Sequence, residues 1–96
     1  MKVLAIDKLL PGTSIERIQP FLKNEAEHAW KNYEAGIFRE LYMRGDRPGA
    51  VVILECRDID DAKTIMAELP LVKEKFIEFD FIPLSPFTPF ASLFGK

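Results

Sequence analysis

The sequence predicts an α+β domain of ferredoxin-like βαββαβ order, with a four-stranded antiparallel sheet carrying two helices on one face. Three observations predict it. Apolar runs at residues 3–6 and 50–54 suit central strands buried on both faces. Two segments with apolar residues every three or four positions suit helices. A Leu69-Pro70-Leu71 corner then leads into the alternating Ile77-Glu78-Phe79-Asp80-Phe81.

The first strand is expected over residues 2–9. Pro11-Gly12 breaks it, and Thr13 with Glu16 has the spacing of a helix capping box. Ile15, Ile18, Leu22, Ala26, Ala29 and Tyr33 then fall on one helical stripe, closed by Gly36. Pro20 has no amide to bond back to Glu16, which predicts a kink or a second start in this helix. Residues 37–44 and 50–56 form two further strands, joined through Gly45-Asp46-Arg47-Pro48-Gly49 as an antiparallel hairpin. Asp58 is placed to cap a second helix with Ile59, Ala62, Ile65, Met66 and Leu69 on its buried stripe, and Pro70 is expected to close it. In the last strand Ile77, Phe79 and Phe81 face one way, Glu78 and Asp80 the other.

Two central strands and two mixed outer strands predict the sheet order 4-1-3-2. Helices on one side leave apolar residues of the central strands, such as Val3, Ala5, Val51 and Ile53 or their alternates, on an uncovered face. A second copy of the sheet is the expected cover, which makes the assembly a homodimeric α+β barrel. The domain is assigned to residues 1–83. Residues 84–96 form a Pro/Phe-rich tail in which Pro83, Pro86 and Pro89, and likewise Leu84, Phe87, Phe90 and Leu93, recur every third position. That period predicts a polyproline II segment packing on its own or a partner subunit.

Ninety-six residues at 48% hydrophobic content support one core. A net charge of −2 offers no basic stripe for nucleic acid. The apolar runs are too short to span a membrane, and the first residues read as strand and not as a leader, which gives a cytoplasmic expectation. One cysteine, Cys56, permits no internal disulfide and no zinc constellation, so no metal is expected. No phosphate loop, nucleophile elbow or dinucleotide fingerprint is present, and no cofactor is expected.

The polar residues on apolar elements are the candidates for chemistry. His28, the only imidazole, adjoins the helical stripe and is either solvated or catalytic. Arg39 suits a two-point contact to a ligand carboxylate or an ion pair at a dimer edge. Glu40 and Tyr42 share a strand face about 7 Å apart, as a proton-transfer pair or as an amphipathic edge that also bears Phe38 and Arg44. Glu78 and Asp80 form an acid-base pair or pair with Arg39 or Arg44.

From Gly36 to about Ile82 the chain resembles the muconolactone isomerase family. The resemblance is carried by Gly36, the Phe38-Arg39-x-Leu41-Tyr42 strand, Leu69-Pro70-Leu71, and Ile77-x-Phe79 enclosing Glu78 and followed by Asp80. It implies a dimeric α+β barrel, a further ring of dimers, and a proton shift in a small unsaturated lactone or carboxylate. It implies Arg39 as the carboxylate anchor and Glu78 as the base. Glu40 stands where the family pattern has a histidine, and Arg47 where it has another. The reading from another class is a non-catalytic homo-oligomeric binding or assembly module.

Overall fold

The computed structural model describes residues 1–95. Its elements are β1 (Lys2–Leu9), α1 (Ile15–Ile18), α2 (Leu22–Glu34), β2 (Phe38–Met43), β3 (Ala50–Glu55), α3 (Ile59–Ala67), α4 (Pro70–Lys73) and β4 (Ile77–Leu84). The sheet is antiparallel throughout in the order β2-β3-β1-β4, as the sequence predicts, and the domain is ferredoxin-like. No helix among the described residues is long and apolar enough to cross a membrane.

Each predicted helix is present as two segments, and prolines set both breaks. Pro20 lies in a 3-10 turn, Gln19–Phe21, that separates α1 from α2, because it cannot donate into an α-helical ladder. At the second corner Pro70 opens α4 as its first residue instead of only closing α3. Leu69 before it is extended (φ −66°, ψ 135°), as a residue preceding proline prefers. The cap of α1 is Ser14, whose Oγ accepts from Arg17 N, and not Thr13. Thr13 donates its hydroxyl to Phe76 O at 3.0 Å, tying the end of β1 to the start of β4. Asp58 caps α3 as expected, accepting from Asp61 N at 2.8 Å.

Residues opposite one another across an antiparallel pair share a face, and the register therefore assigns every strand side chain. Val3, Ala5, Val52, Leu54 and Phe38 lie on the helix side and form the core with Ala62, Met66 and Leu69. A second cluster of Ile18, Leu71, Phe76 and Ile77 closes the other end, with Phe21 edge-on to Phe76 at 5.3 Å. Val3 and Ala5 are thus core residues. The uncovered face instead carries their alternates, Leu4 and Ile6, beside Val51, Ile53 and Ile82.

A bulge between Phe38 and Glu40 shifts the β2 register. Phe38 goes to the core, while Glu40 and Tyr42 lie opposite Ile53 and Val51 on the uncovered face. The expected single face of Phe38, Glu40 and Tyr42 is divided by that extra residue.

Beyond β4 the chain forms a 3-10 helix, Thr88–Leu93, not an extended polyproline segment. Both conformations have three residues per turn, so the three-residue period fits either. Phe87 and Phe90 meet edge to face at 4.9 Å along it. Phe87, Phe90, Leu93 and Phe94 are all more than 60% exposed. The radius of gyration, 15.6 Å, exceeds the roughly 12.5 Å of a compact chain of this length, consistent with a tail that stands off the domain.

Candidate active site

The first helix covers its half of the sheet loosely. Ile18 is the only stripe residue of α1 and α2 that is buried, while Ile15, Leu22 and Tyr33 remain 51%, 42% and 50% exposed. Ala26 and Ala29 are too small to fill the space over β2 and β3. A cavity of about 330 Å³ lies there, walled by Leu22, Ala26, Ala29, Phe38, Leu41, Met43, Val52, Leu69 and Phe79. Its wall includes two carboxyl side chains, Asp7 and Glu25, and no basic side chain.

Asp7 follows Val3 and Ala5 at alternating positions of β1, so the pleat carries it to the buried side. It is the only polar residue that is buried, at 7% exposure, among those described. The backbone pairing of β1 with β3 stops at Ile6 and Val51. At the next position the Asp7 side chain takes over, with Oδ2 accepting from Ala50 N at 2.8 Å. Oδ1 is buried with no hydrogen-bond partner among the described residues. Burial pushes this carboxyl above its ordinary pKa, against the opposing effects of the Ala50 amide and the Arg47 and Arg44 charges. Neither guanidinium bonds the carboxylate: Arg44 grips Asp46 through two hydrogen bonds, and Arg47 donates to the carbonyls of Asp7 and Pro48.

Glu25 projects from α2 in phase with Leu22, Ala26 and Ala29. Its Oε1 accepts from Leu71 N at 3.0 Å, at the start of α4, so it ties the first helical unit to the second. Burial raises its pKa, opposed by the Leu71 amide and the nearby His28, while the Asp7 charge raises it further. Two carboxyl groups within electrostatic reach of one another, both with pKa values raised by burial beside an apolar cavity, can exchange protons with a bound ligand.

The residues singled out from the sequence occupy other positions, with one exception. Tyr42 borders the cavity along β2, but its side chain stands on the uncovered face, where its hydroxyl donates to Glu40 Oε1 at 2.7 Å. That contact raises the Tyr42 pKa. Glu78 and Asp80 flank Lys8 on the uncovered face at 3.4 and 3.1 Å, and are paired with neither Arg39 nor Arg44. Arg39 is exposed at the β2 bulge. His28 is half-buried on α2, one turn after Glu25, and does not line the cavity. Glu40 and Tyr42 are thus brought together, and Arg39, Glu78 and His28 are not. Asp7 and Glu25 escaped the sequence reading, though each carried a signal: an acid in phase with the buried face of a strand, and an acid within a helical apolar stripe. No group of three or more His, Cys, Asp or Glu side chains among the described residues could hold a metal ion.

In sequence, no protein-family model and no curated protein matches the chain. In structure it is similar to muconolactone isomerase, with a TM-score of 0.66 at 18% identity, covering 91% of this chain and 93% of that one. It is also similar to 5-chloro-2-hydroxyhydroquinone dehydrochlorinase (TftG) from Burkholderia phenoliruptrix AC1100, solved in complex with 2,5-dihydroxybenzoquinone. That match has a TM-score of 0.65 at 17% identity, covering 88% of this chain and 94% of that one. At such identities the likeness is one of fold, and the chain shares the ferredoxin-like α+β fold of muconolactone isomerase that its Gly36 to Ile82 pattern implied.

Proposed function

We propose that this protein is a muconolactone-isomerase-like catalyst of a proton shift in a small unsaturated lactone, acting in the cavity between α2 and the sheet. The observation that carries the reading is Asp7, an acid that lines an apolar cavity, with one oxygen fixed by a backbone amide and the other buried against Gly49 without a hydrogen-bond partner among the described residues. In the reaction the Asp7 carboxylate removes a proton from a carbon acidified by the conjugated carbonyl. The dienolate that forms takes a proton back at the far end of the same allylic system, so the double bond moves and no electrons are gained or lost. A pKa raised by burial makes the carboxylate a stronger base and its acid form a ready donor. Glu25, electrostatically coupled to Asp7, is the second proton-holding group. Of the remaining candidates, Glu40, Tyr42 and Glu78 stand on the uncovered face, which an assembled barrel would enclose, Arg39 is at the β2 bulge and His28 is on α2, so none of them is the proton-transfer group of this proposal.

The test is turnover of muconolactone and of the uncharged α-angelica lactone, followed by ultraviolet absorbance and by deuterium uptake from solvent. Asp7→Asn is expected to lower the rate by about 10²- to 10⁴-fold. Absence of turnover and of exchange with both lactones would remove this reading.

A second reading is a homo-oligomeric module without catalysis, favoured by the exposed aromatic tail and the uncovered apolar sheet face. In it the tail of residues 84–96 closes a subunit interface.

A further inference from the structure

The cavity beneath α2 is continuous in its lining with a second one of about 210 Å³. Asp7, Leu22, Glu25, Met43 and Ala50 line both. Beyond these shared residues the smaller lobe is walled by Leu9, Ile15, Ile18, Leu71 and Ile77, with Pro48 and Gly49 of the hairpin loop. The acid pair therefore borders both lobes, and neither is lined by a lysine, arginine or histidine.

This distribution discriminates by charge. Where the two acids are ionised, an anionic ligand meets like charge in an apolar-walled space. Where they are protonated, the anion loses its water and finds no cation in exchange. The basic groups that face Asp7 are committed elsewhere, Arg44 to Asp46 and Arg47 to backbone carbonyls. His28, the basic group acting on Glu25, lines neither lobe. A neutral ligand suffers neither penalty, whichever protonation state the two acids hold.

We infer that the two-lobed cavity binds an uncharged ring compound bearing a short apolar substituent and rejects its carboxylate-bearing counterpart. The ring fills the lobe beneath α2 and the substituent the lobe beside Ile15 and Ile18. The inference rests on the proposed use of this cavity as the ligand site, and it narrows the substrate from lactones and carboxylates together to the neutral ones.

The experiment is calorimetric titration of the full chain at neutral pH with muconolactone, an anion, and with its methyl, ethyl, propyl and butyl esters. Amide shifts of Ala29 and Ala50 locate the binding. The methyl ester is expected to bind about tenfold or more tightly than the acid, and each added methylene to gain about fourfold until the smaller lobe is full. Equal or tighter binding of the acid, or no binding of any ester, overturns the charge selection. A flat ester series overturns the two-lobe placement. Ester binding without turnover would sink the catalytic proposal and leave this one standing, whereas turnover of the acid at ester-like affinity would do the reverse.

Discussion

Gly49 lies directly against the Asp7 carboxyl, leaving no room between its α-carbon and Oδ1 for a single methyl group. Its φ of +149° is also one that side-chain-bearing residues rarely adopt. Gly49→Ala is therefore expected to cost about 1–3 kcal/mol in urea unfolding. Part of that cost is steric and depends on the acid, so it should shrink when Asp7 is Ala. A double-mutant cycle measures the difference, and strictly additive effects would mean that the two residues do not press on one another.

The pH dependence of stability has a defined sign. Asp7 and Glu25 have pKa values raised on folding, so the native state holds protons that the unfolded chain has already released. Their contribution is fully present below the ordinary carboxylate range near 4 and is lost as the pH rises through the folded values. Asp46 acts oppositely. The Arg44 guanidinium holds it down to about 2, so its contribution is present above the ordinary range and fades as the pH falls through that value. As the pH is raised from 4 to 7, the wild type should lose stability relative to Asp7→Asn, measured as the change in urea midpoint. A constant difference between the two proteins would show that Asp7 titrates alike folded and unfolded.

The uncovered sheet face predicts self-association. Leu4, Ile6, Val51, Ile53 and Ile82 form an apolar centre, flanked by Lys8 with Glu78 and Asp80 and by the amino terminus with Glu55. Sedimentation equilibrium at micromolar concentration should give at least a dimer, and Ile53→Asp a monomer with an unchanged circular dichroism spectrum. Removal of residues 85–96 separates the roles of face and tail, because loss of assembly in that variant assigns the interface to the tail. A monomeric wild type would leave the sheet face without its partner copy.

Strand order was legible in the sequence because burial is written in alternation. Two continuous apolar runs had to be central, and two mixed runs had to be edges. The breaks at Pro20 and Pro70 were visible too, since each proline lacks the amide that a helix interior needs. The cavity was not legible. Ala26 and Ala29 keep helical phase whether the space beneath them is filled or empty, and periodicity carries no measure of depth. Asp7 was hidden by its neighbours, because Val3 to Ile6 reads as a two-sided apolar strand whatever follows. The bulge that separates Phe38 from Glu40 has no glycine to announce it, and so the face assignment of β2 had to come from the register.

Oδ2 of Asp7 stands in for a backbone acceptor at the point where β1 and β3 cease to pair, so the acid is mounted on the sheet itself. The apolar wall around it is a separate part. Under the proposed function, exchanging Ala26, Ala29 or Leu41 would reshape the ligand space without moving the acid. Residues 7 and 49 have no such freedom, since each occupies the space the other leaves. A change at residue 7 or 49 therefore calls for a matching change at the other, whereas the wall residues are free of that constraint.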